Sequence, residues 1–403
     1  MKKWITSILT VALSFFAFGT GQAFAEQPAT LTPEMINGES AVLMDGTTGT
    51  ILFEKNPHKP LYPASITKIA TAIYTIERGA INDTAIVSKK ARHAEGTRVY
   101  LEEGESVSMK NLLYGLIMHS GNDAAIVIAE HLDGSTEVFS EKVTNYLKEK
   151  VNVQNTNFTN PHGLHDDNHY TTAYDMAKIS RYAMADPLLR EIAGTKTYEW
   201  HQQEWDTVLV NHNKMLRNYE GTTGLKNGFT DQAGNTLVVT AKRGDTELIA
   251  VTMKAPSSAF SYKDVTALLD YGFANYETQQ IATGGQSFVY TGENEKEEPM
   301  KFFAESNLYA TVPKDQTYAT EIQNTGDLVV QFENGDKTIL HLKAEKKEEK
   351  AEVLAASLPE EKNKIALYGI TVGWSFLNLF MLLYLFKMIK IKRRNVVYRK
   401  RNY

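Results

Sequence analysis

Leu61 to Gly79 reads "LYPASITKIATAIYTIERG". Ile66, Ile69, Ala70, Ile73 and Ile76 recur at helical spacing and Gly79 follows as a stop, which predicts a helix from Ser65 to Glu77. Ile66, Ile69, Ala70, Ala72 and Ile73 surround Lys68 with apolar side chains, so the helix is expected in the middle of a domain. A lysine held there loses solvation, and its pKa falls toward neutrality. Three residues apart, Ser65 and Lys68 share one helix face, so the amine can take the serine proton. A serine at a helix start also brings its backbone N–H into the positive end of the helix dipole, where an oxyanion would form. The plainer alternative is a capping serine and a solvated lysine; the apolar surround weighs against it.

Before this helix, residues 41–54, "AVLMDGTTGTILFE", are two short β-prone runs around a polar turn, a hairpin signature. Helical patterns follow at Ser108–Met118, Ala124–His131, Glu137–Val151 and Ala173–Met184. From Gly221 the pattern changes: "GLKNGFT", "NTLVVTAKRG" and "TELIAVTMKA" read as three strands with turns at 231–234 and 244–245, and 262–273 returns to helix. Strands at both ends and helices between predict an α+β domain over 31–276, in which distant segments share one antiparallel sheet flanked by helices, with a helical subdomain. Residues 277–342 read as a small all-β domain, with Asn334-Gly335 between alternating apolar runs as its clearest hairpin. Residues 343–364 are a charged linker.

The two ends speak to location. Lys2 and Lys3, an apolar stretch and Ala23-Phe24-Ala25 describe a cleavable export signal over 1–25. Residues 365–386 carry no charge; as a helix they would reach roughly 33 Å, enough to cross a hydrocarbon core. Eight cations and no acid follow in 387–403, so the expected topology is a single C-terminal transmembrane helix with the body outside and the basic tail in the cytoplasm. Removing Lys2, Lys3 and those eight tail cations from the net charge of −5 leaves −15 on residues 26–386. An acidic exported body does not suit nucleic acid. The absence of cysteine excludes disulfides and thiolate chemistry.

Two more elements carry chemistry. Ser120-Gly121-Asn122 interrupts two apolar helices within "LYGLIMHSGNDAAIVIAEHL", presenting a hydroxyl and an amide; the plain alternative is an interhelical turn capped by Asn122 or Asp123. Lys226-Asn227-Gly228 lies on a late strand. Ser-x-x-Lys, Ser-x-Asn and Lys-x-Gly in this order and setting resemble the penicillin-recognising serine acyltransferases, and among them the low-molecular-mass penicillin-binding proteins that act as serine-type D-alanyl-D-alanine carboxypeptidases. "PASITKI", "NFTNPHGLHDDNHYTTAYDMA" and "GLKNGFTDQAGNTLV" extend the likeness over roughly residues 35–275.

The resemblance implies a penicillin-binding transpeptidase-like, β-lactamase-like fold and a set of roles. Ser65 would be the nucleophile, Lys68 its general base and Ser120 the proton relay to the leaving amine. Asn122 would hold the substrate's peptide carbonyl, Lys226 would add positive charge, and the backbone N–H groups of Ser65 and Phe229 would form the oxyanion hole. Lys226 and Thr230 are the candidates for the substrate carboxylate, beside Asn227 and Gly228. Implied partners are the D-Ala-D-Ala end of the peptidoglycan stem peptide and β-lactams as acylating inhibitors, with no cofactor. Two departures stand out. Asn227 occupies the place of the family's usual threonine, and the chain ends in an apparent full span where the family commonly has an amphipathic surface helix. A β-lactamase and a non-turning-over membrane sensor or scaffold are the rivals. His162, His165 and His169 with Asp166 and Asp167 match no helical metal pair, and no metal is expected.

Overall fold

The computed structural model describes residues 30–292, 299–345, 371–385 and 387–388. The expected signal over 1–25, most of the linker and most of the tail lie outside them. The chain divides into two compact units, Met1–Ala344 and Glu345–Tyr403.

An antiparallel five-stranded sheet organises the first unit, in the order Ile51–Lys55, Ser40–Asp45, Thr246–Ala255, Gly234–Arg243, Thr222–Thr230. Val42 pairs with Val251, Val239 with Ala250, and Leu225 with Val239. Successive side chains leave a strand on opposite faces, and each face here meets its own core. Val42, Met44, Val238, Ile249, Val251 and Met253 enter the larger core, under the helices. Their neighbours Ala41, Leu43, Leu237, Val239, Leu248 and Ala250 enter a smaller core. The helix Ser258–Asn275 closes that side with Val265, Leu268, Leu269 and Phe273. Burial on both faces explains why these strands read as nearly continuous apolar runs.

On the other face the helix Lys68–Glu77 is buried along Lys68–Thr75 and packs among Met109–Met118, Asn122–Asp133, Thr136–Lys150 and Ala173–Met184. It starts three residues later than expected. Ala64 sits at φ 51°, a left-handed conformation that cannot join an α-helix, so Ala64–Thr67 turn instead as a tight 3-10 helix. Asn122, expected in the break between two helices, is the first residue of the second. The periodicity also passed over the helix Pro187–Gly194, capped by Asp186 with proline at its start, and the hairpin Thr197–His201 with Asp206–Val210. That hairpin buries Trp200 completely, against Gly115; a Cβ at 115 would stand 3.0 Å from the indole.

Strands continue from Tyr276 to Ala344 in three small sheets. The hairpin at Asn334-Gly335 joins Asp327–Phe332 to Lys337–His341, with Gly335 at φ 92°. Asp45 fastens this end to the main sheet: its Oδ2 accepts from Thr278 Oγ1 at 2.7 Å and Thr311 Oγ1 at 2.8 Å. In the second unit, residues 371–385 are helical and exposed. The expected span over 365–386 lies partly outside the described residues, and among those described no helix is long and apolar enough to cross a membrane.

Candidate active site

Ser65 lies in the 3-10 turn, directly after the left-handed Ala64, a conformation costing roughly 1–3 kcal/mol that the surroundings must hold in place. Lys68 Nζ donates to Ser65 Oγ at 3.1 Å, Asn122 Oδ1 at 2.7 Å and the His162 carbonyl at 2.7 Å. Three acceptors match the three N–H bonds of an ammonium. A neutral amine has two N–H bonds and one lone pair. Asn122 and His162 can keep the two donors, which turns the lone pair toward the Ser65 hydroxyl. Burial drives the Lys68 pKa well below that of an ordinary lysine, the charge of Lys226 drives it further, and Asp123 acts the other way.

Asn122 uses its amide at both ends, with Nδ2 donating to Glu95 O at 2.6 Å. Its helix is aimed by Asp123, a fully buried carboxylate that accepts from the backbone N–H of Val99, Leu101 and Ala124. Burial raises the Asp123 pKa and those N–H groups oppose the rise. Ser120 is buried at φ 67°, in a turn closed by Gly121 N–H to Gly115 O and Asn122 N–H to Thr97 O.

The strand Thr222–Thr230 forms the opposite wall. A Cβ on Gly228 would fall 2.6 Å from Ser65 N and 2.7 Å from Thr236 Oγ1, so the strand passes against the nucleophile's own amide. Thr236 Oγ1, on the next strand, donates to Pro63 O at 2.8 Å and ties sheet to turn. Lys226 is buried, donates to Asn227 O at 2.9 Å, and has its pKa pushed down by burial to about 7. Asn227 Oδ1 is buried with no hydrogen-bond partner among the described residues. The Phe229 side chain is exposed, and the Thr230 hydroxyl accepts from Ala233 N–H at 3.1 Å.

Ser65, Lys68, Asn122 and Gly228 are therefore in direct contact, and Lys226 reaches Lys68 through its charge. Thr230 is spent partly on its own turn. Several neighbours escaped the pattern reading. Asn227 lines a cavity of about 480 Å³ with His119, Trp205, His212, Lys214 and Arg217. The His119 and His212 rings lie 4.5 Å apart. Burial and the charge of Lys226 lower both pKa values, that of His212 to about 4. Lys214 and Arg217 pair with no carboxylate among the described residues. "HSGND" hints at His119 by adjacency alone, and nothing local marks His212.

Among the described residues no group of three or more His, Asp or Glu is placed to hold a metal. The three loop histidines serve separate partners: the His162 carbonyl takes Lys68, His165 meets Asp167 and the Tyr62 ring, and His169 meets Thr67.

A family model described as D-alanyl-D-alanine carboxypeptidase, Peptidase S11, matches residues 25–257. The chain belongs to that family. It is 35% identical over 294 residues to the D-alanyl-D-alanine carboxypeptidase DacF of Bacillus subtilis, covering 71% of this chain and 75% of that protein. Its identity to DacD of Escherichia coli is 31%, over 76% of this chain and 82% of the other. The crystal structure of penicillin binding protein 5 from Haemophilus influenzae superposes with a TM-score of 0.70 at 29% identity, covering 78% of this chain and 98% of that one. As a D-alanyl-D-alanine carboxypeptidase family member the chain is a serine peptidase with the penicillin-binding transpeptidase-like α+β fold.

Proposed function

We propose that this D-Ala-D-Ala carboxypeptidase removes the terminal D-alanine of peptidoglycan stem peptides through an acyl-enzyme on Ser65. The observation that carries the reading is the Lys68 amine, desolvated and 3.1 Å from the Ser65 hydroxyl. Ser65 Oγ attacks the carbonyl of the penultimate D-alanine while Lys68 takes its proton. The negative oxygen forms beside Ser65 N–H and Phe229 N–H, where fixed donors contribute about 3–4 kcal/mol each. Ser120 passes a proton to the departing amine, and the C–N bond breaks to free D-alanine. Water then opens the ester, with Lys68 again as base. The carboxylate of the leaving D-alanine is drawn to the side of Lys226, Asn227 and Thr230. β-Lactams enter as carbonyl analogues that acylate Ser65 and leave slowly.

The same reading puts the enzyme outside the cell, anchored by a C-terminal span. Trp374, Phe376, Leu377 and Phe380 are exposed on the helix of residues 371–385. Two of its polar side chains bond its own backbone, Ser375 Oγ donating to Thr371 O and Asn378 Nδ2 to Trp374 O, each at 2.8 Å. Such back-bonding suits a helix in lipid, where polar groups find no water. The eight tail cations suit the cytoplasmic side.

Purified protein given a pentapeptide ending in D-Ala-D-Ala is expected to release free D-alanine. Labelling by fluorescent penicillin without D-alanine release would favour a sensor, and fast β-lactam turnover a β-lactamase.

A further inference from the structure

The loop from Thr159 to His169 lies against Ala64, Lys68 and Thr71. His162 O holds Lys68 Nζ and Pro161 O accepts from Thr71 Oγ1 at 2.7 Å, so the loop grips the nucleophile's helix at two levels. Gly163, at φ 87°, packs so tightly that a Cβ there would sit 1.9 Å from the Ala64 carbonyl oxygen. That carbonyl belongs to the left-handed residue in front of Ser65.

A directional chain of hydrogen bonds ends on the same oxygen. Thr159 N–H donates to His169 Nδ1 at 3.0 Å. A backbone N–H can only donate, so Nδ1 must offer its lone pair and the ring proton must sit on Nε2. Nε2 is 2.8 Å from Thr67 Oγ1 and donates to it. The Thr67 hydroxyl is then free to donate to Ala64 O, at 2.9 Å. His169 and Thr67 are each 1% exposed, and Phe158 lies over the imidazole. The charges bearing on the ring are Asp166, which favours its protonation, and Lys68 and His165, which oppose it. Burial outweighs them and pushes the His169 pKa down to about 3, which keeps the ring neutral.

We propose that His169 is a positioning residue: as the Nε2–H tautomer it orients the Thr67 hydroxyl onto the Ala64 carbonyl, and so holds the left-handed turn that aims Ser65 Oγ at Lys68. The inference rests on Ser65 being the nucleophile. It predicts which substitutions are tolerated. Glutamine can copy both ends of the ring, with its carbonyl accepting from Thr159 N–H and its amide donating to Thr67. Leucine fills the space and can do neither.

The test is the rate of acylation by a fluorescent penicillin in the full-length protein, with melting temperature recorded for each variant. His169→Leu and Thr67→Val are expected to lose about 10²-fold in maximal acylation rate with the penicillin concentration at half-saturation little changed, as a misaimed nucleophile would. His169→Gln is expected to recover most of that rate. A folded His169→Leu or Thr67→Val protein acylating at the wild-type rate would overturn the proposal, as would a folded His169→Gln protein as slow as the leucine variant. The ring nitrogens offer a readout independent of activity and of any variant's folding: ¹⁵N shifts of His169 should report the neutral Nε2–H form from pH 5 to 8, and an Nδ1–H or charged ring there would sink it. Wild-type protein that neither takes label nor releases D-alanine would strike at Ser65 itself, and the tautomer measurement would still judge His169.

Discussion

Lys68 and Lys226 stand on opposite walls of one cleft at 0% and 1% exposure, and burial together with the charge of Lys226 holds the Lys68 amine well below the usual lysine pKa. Two cations sealed in one pocket cannot both stay charged at little cost. Lys68 yields, and a base results.

Removing the second cation should therefore move the first. Lys226→Met takes away one of the two causes that lower the Lys68 pKa, so that pKa rises. The acid limb of the acylation rate is expected to shift to higher pH in the residual activity of this variant. An acid limb at its wild-type position would mean that Lys226 exerts no field on the base. Both limbs belong to the coupled pair.

The same lysine has a cost in stability. The unfolded chain binds the Lys226 proton below the ordinary lysine pKa of 10.5, and the folded chain only below about 7. Stability therefore falls as pH drops from 10.5 toward 7, by on the order of 5 kcal/mol, and the deficit persists below. Lys226→Met should melt several degrees higher at pH 7 while losing D-alanine release. A lower melting temperature would contradict this.

Ser65→Ala should abolish penicillin labelling and reduce D-alanine release by at least about 10⁴-fold, with the melting curve nearly unchanged. Label that persists on the variant would take the nucleophile's role from Ser65.

Gly228→Ala places a methyl group 2.6 Å from Ser65 N and 2.7 Å from Thr236 Oγ1. Backbone must yield, and the strand moves off the nucleophile. The expected loss is about 10²-fold in acylation and roughly 1–3 kcal/mol in stability. An alanine variant with native rate and melting temperature would mean that the wall is looser than drawn.

Burial lowers the pKa of His119, His162, His169 and His212, the last two to about 3 and about 4. For each, the unfolded state takes up a proton near pH 6.5 and the folded state does not until lower pH. The histidines' contribution to stability is complete above pH 6.5 and falls as pH descends from there. Melting temperature should drop steadily from pH 7 to 4, and His169→Gln should soften the slope. A flat profile would show that these rings gain no proton on unfolding.

The sheet was legible because strands buried on both faces carry long apolar runs, and the helices because their apolar residues recur at three and four. Ser65 and Lys68 were legible together because their contact spans a single turn. Trp200 was not: its hairpin alternates with Glu199 and His201, and the ring's partner, Gly115, is far away along the chain. The approach of Gly228 to Ser65 depends on sheet closure over more than a hundred residues, which no local pattern encodes. His169 drew notice only as one of three histidines that match no metal pair, because the direction of a hydrogen bond has no sequence signature.

Asp45, the last residue of Ser40–Asp45, joins the main sheet to the strands that follow Tyr276. One of its oxygens takes hydroxyls from Thr278 and Thr311, and its strand neighbours the one that carries Val251. The strand-rich end is therefore tied to the same sheet whose edge strand, Thr222–Thr230, stands against Ser65.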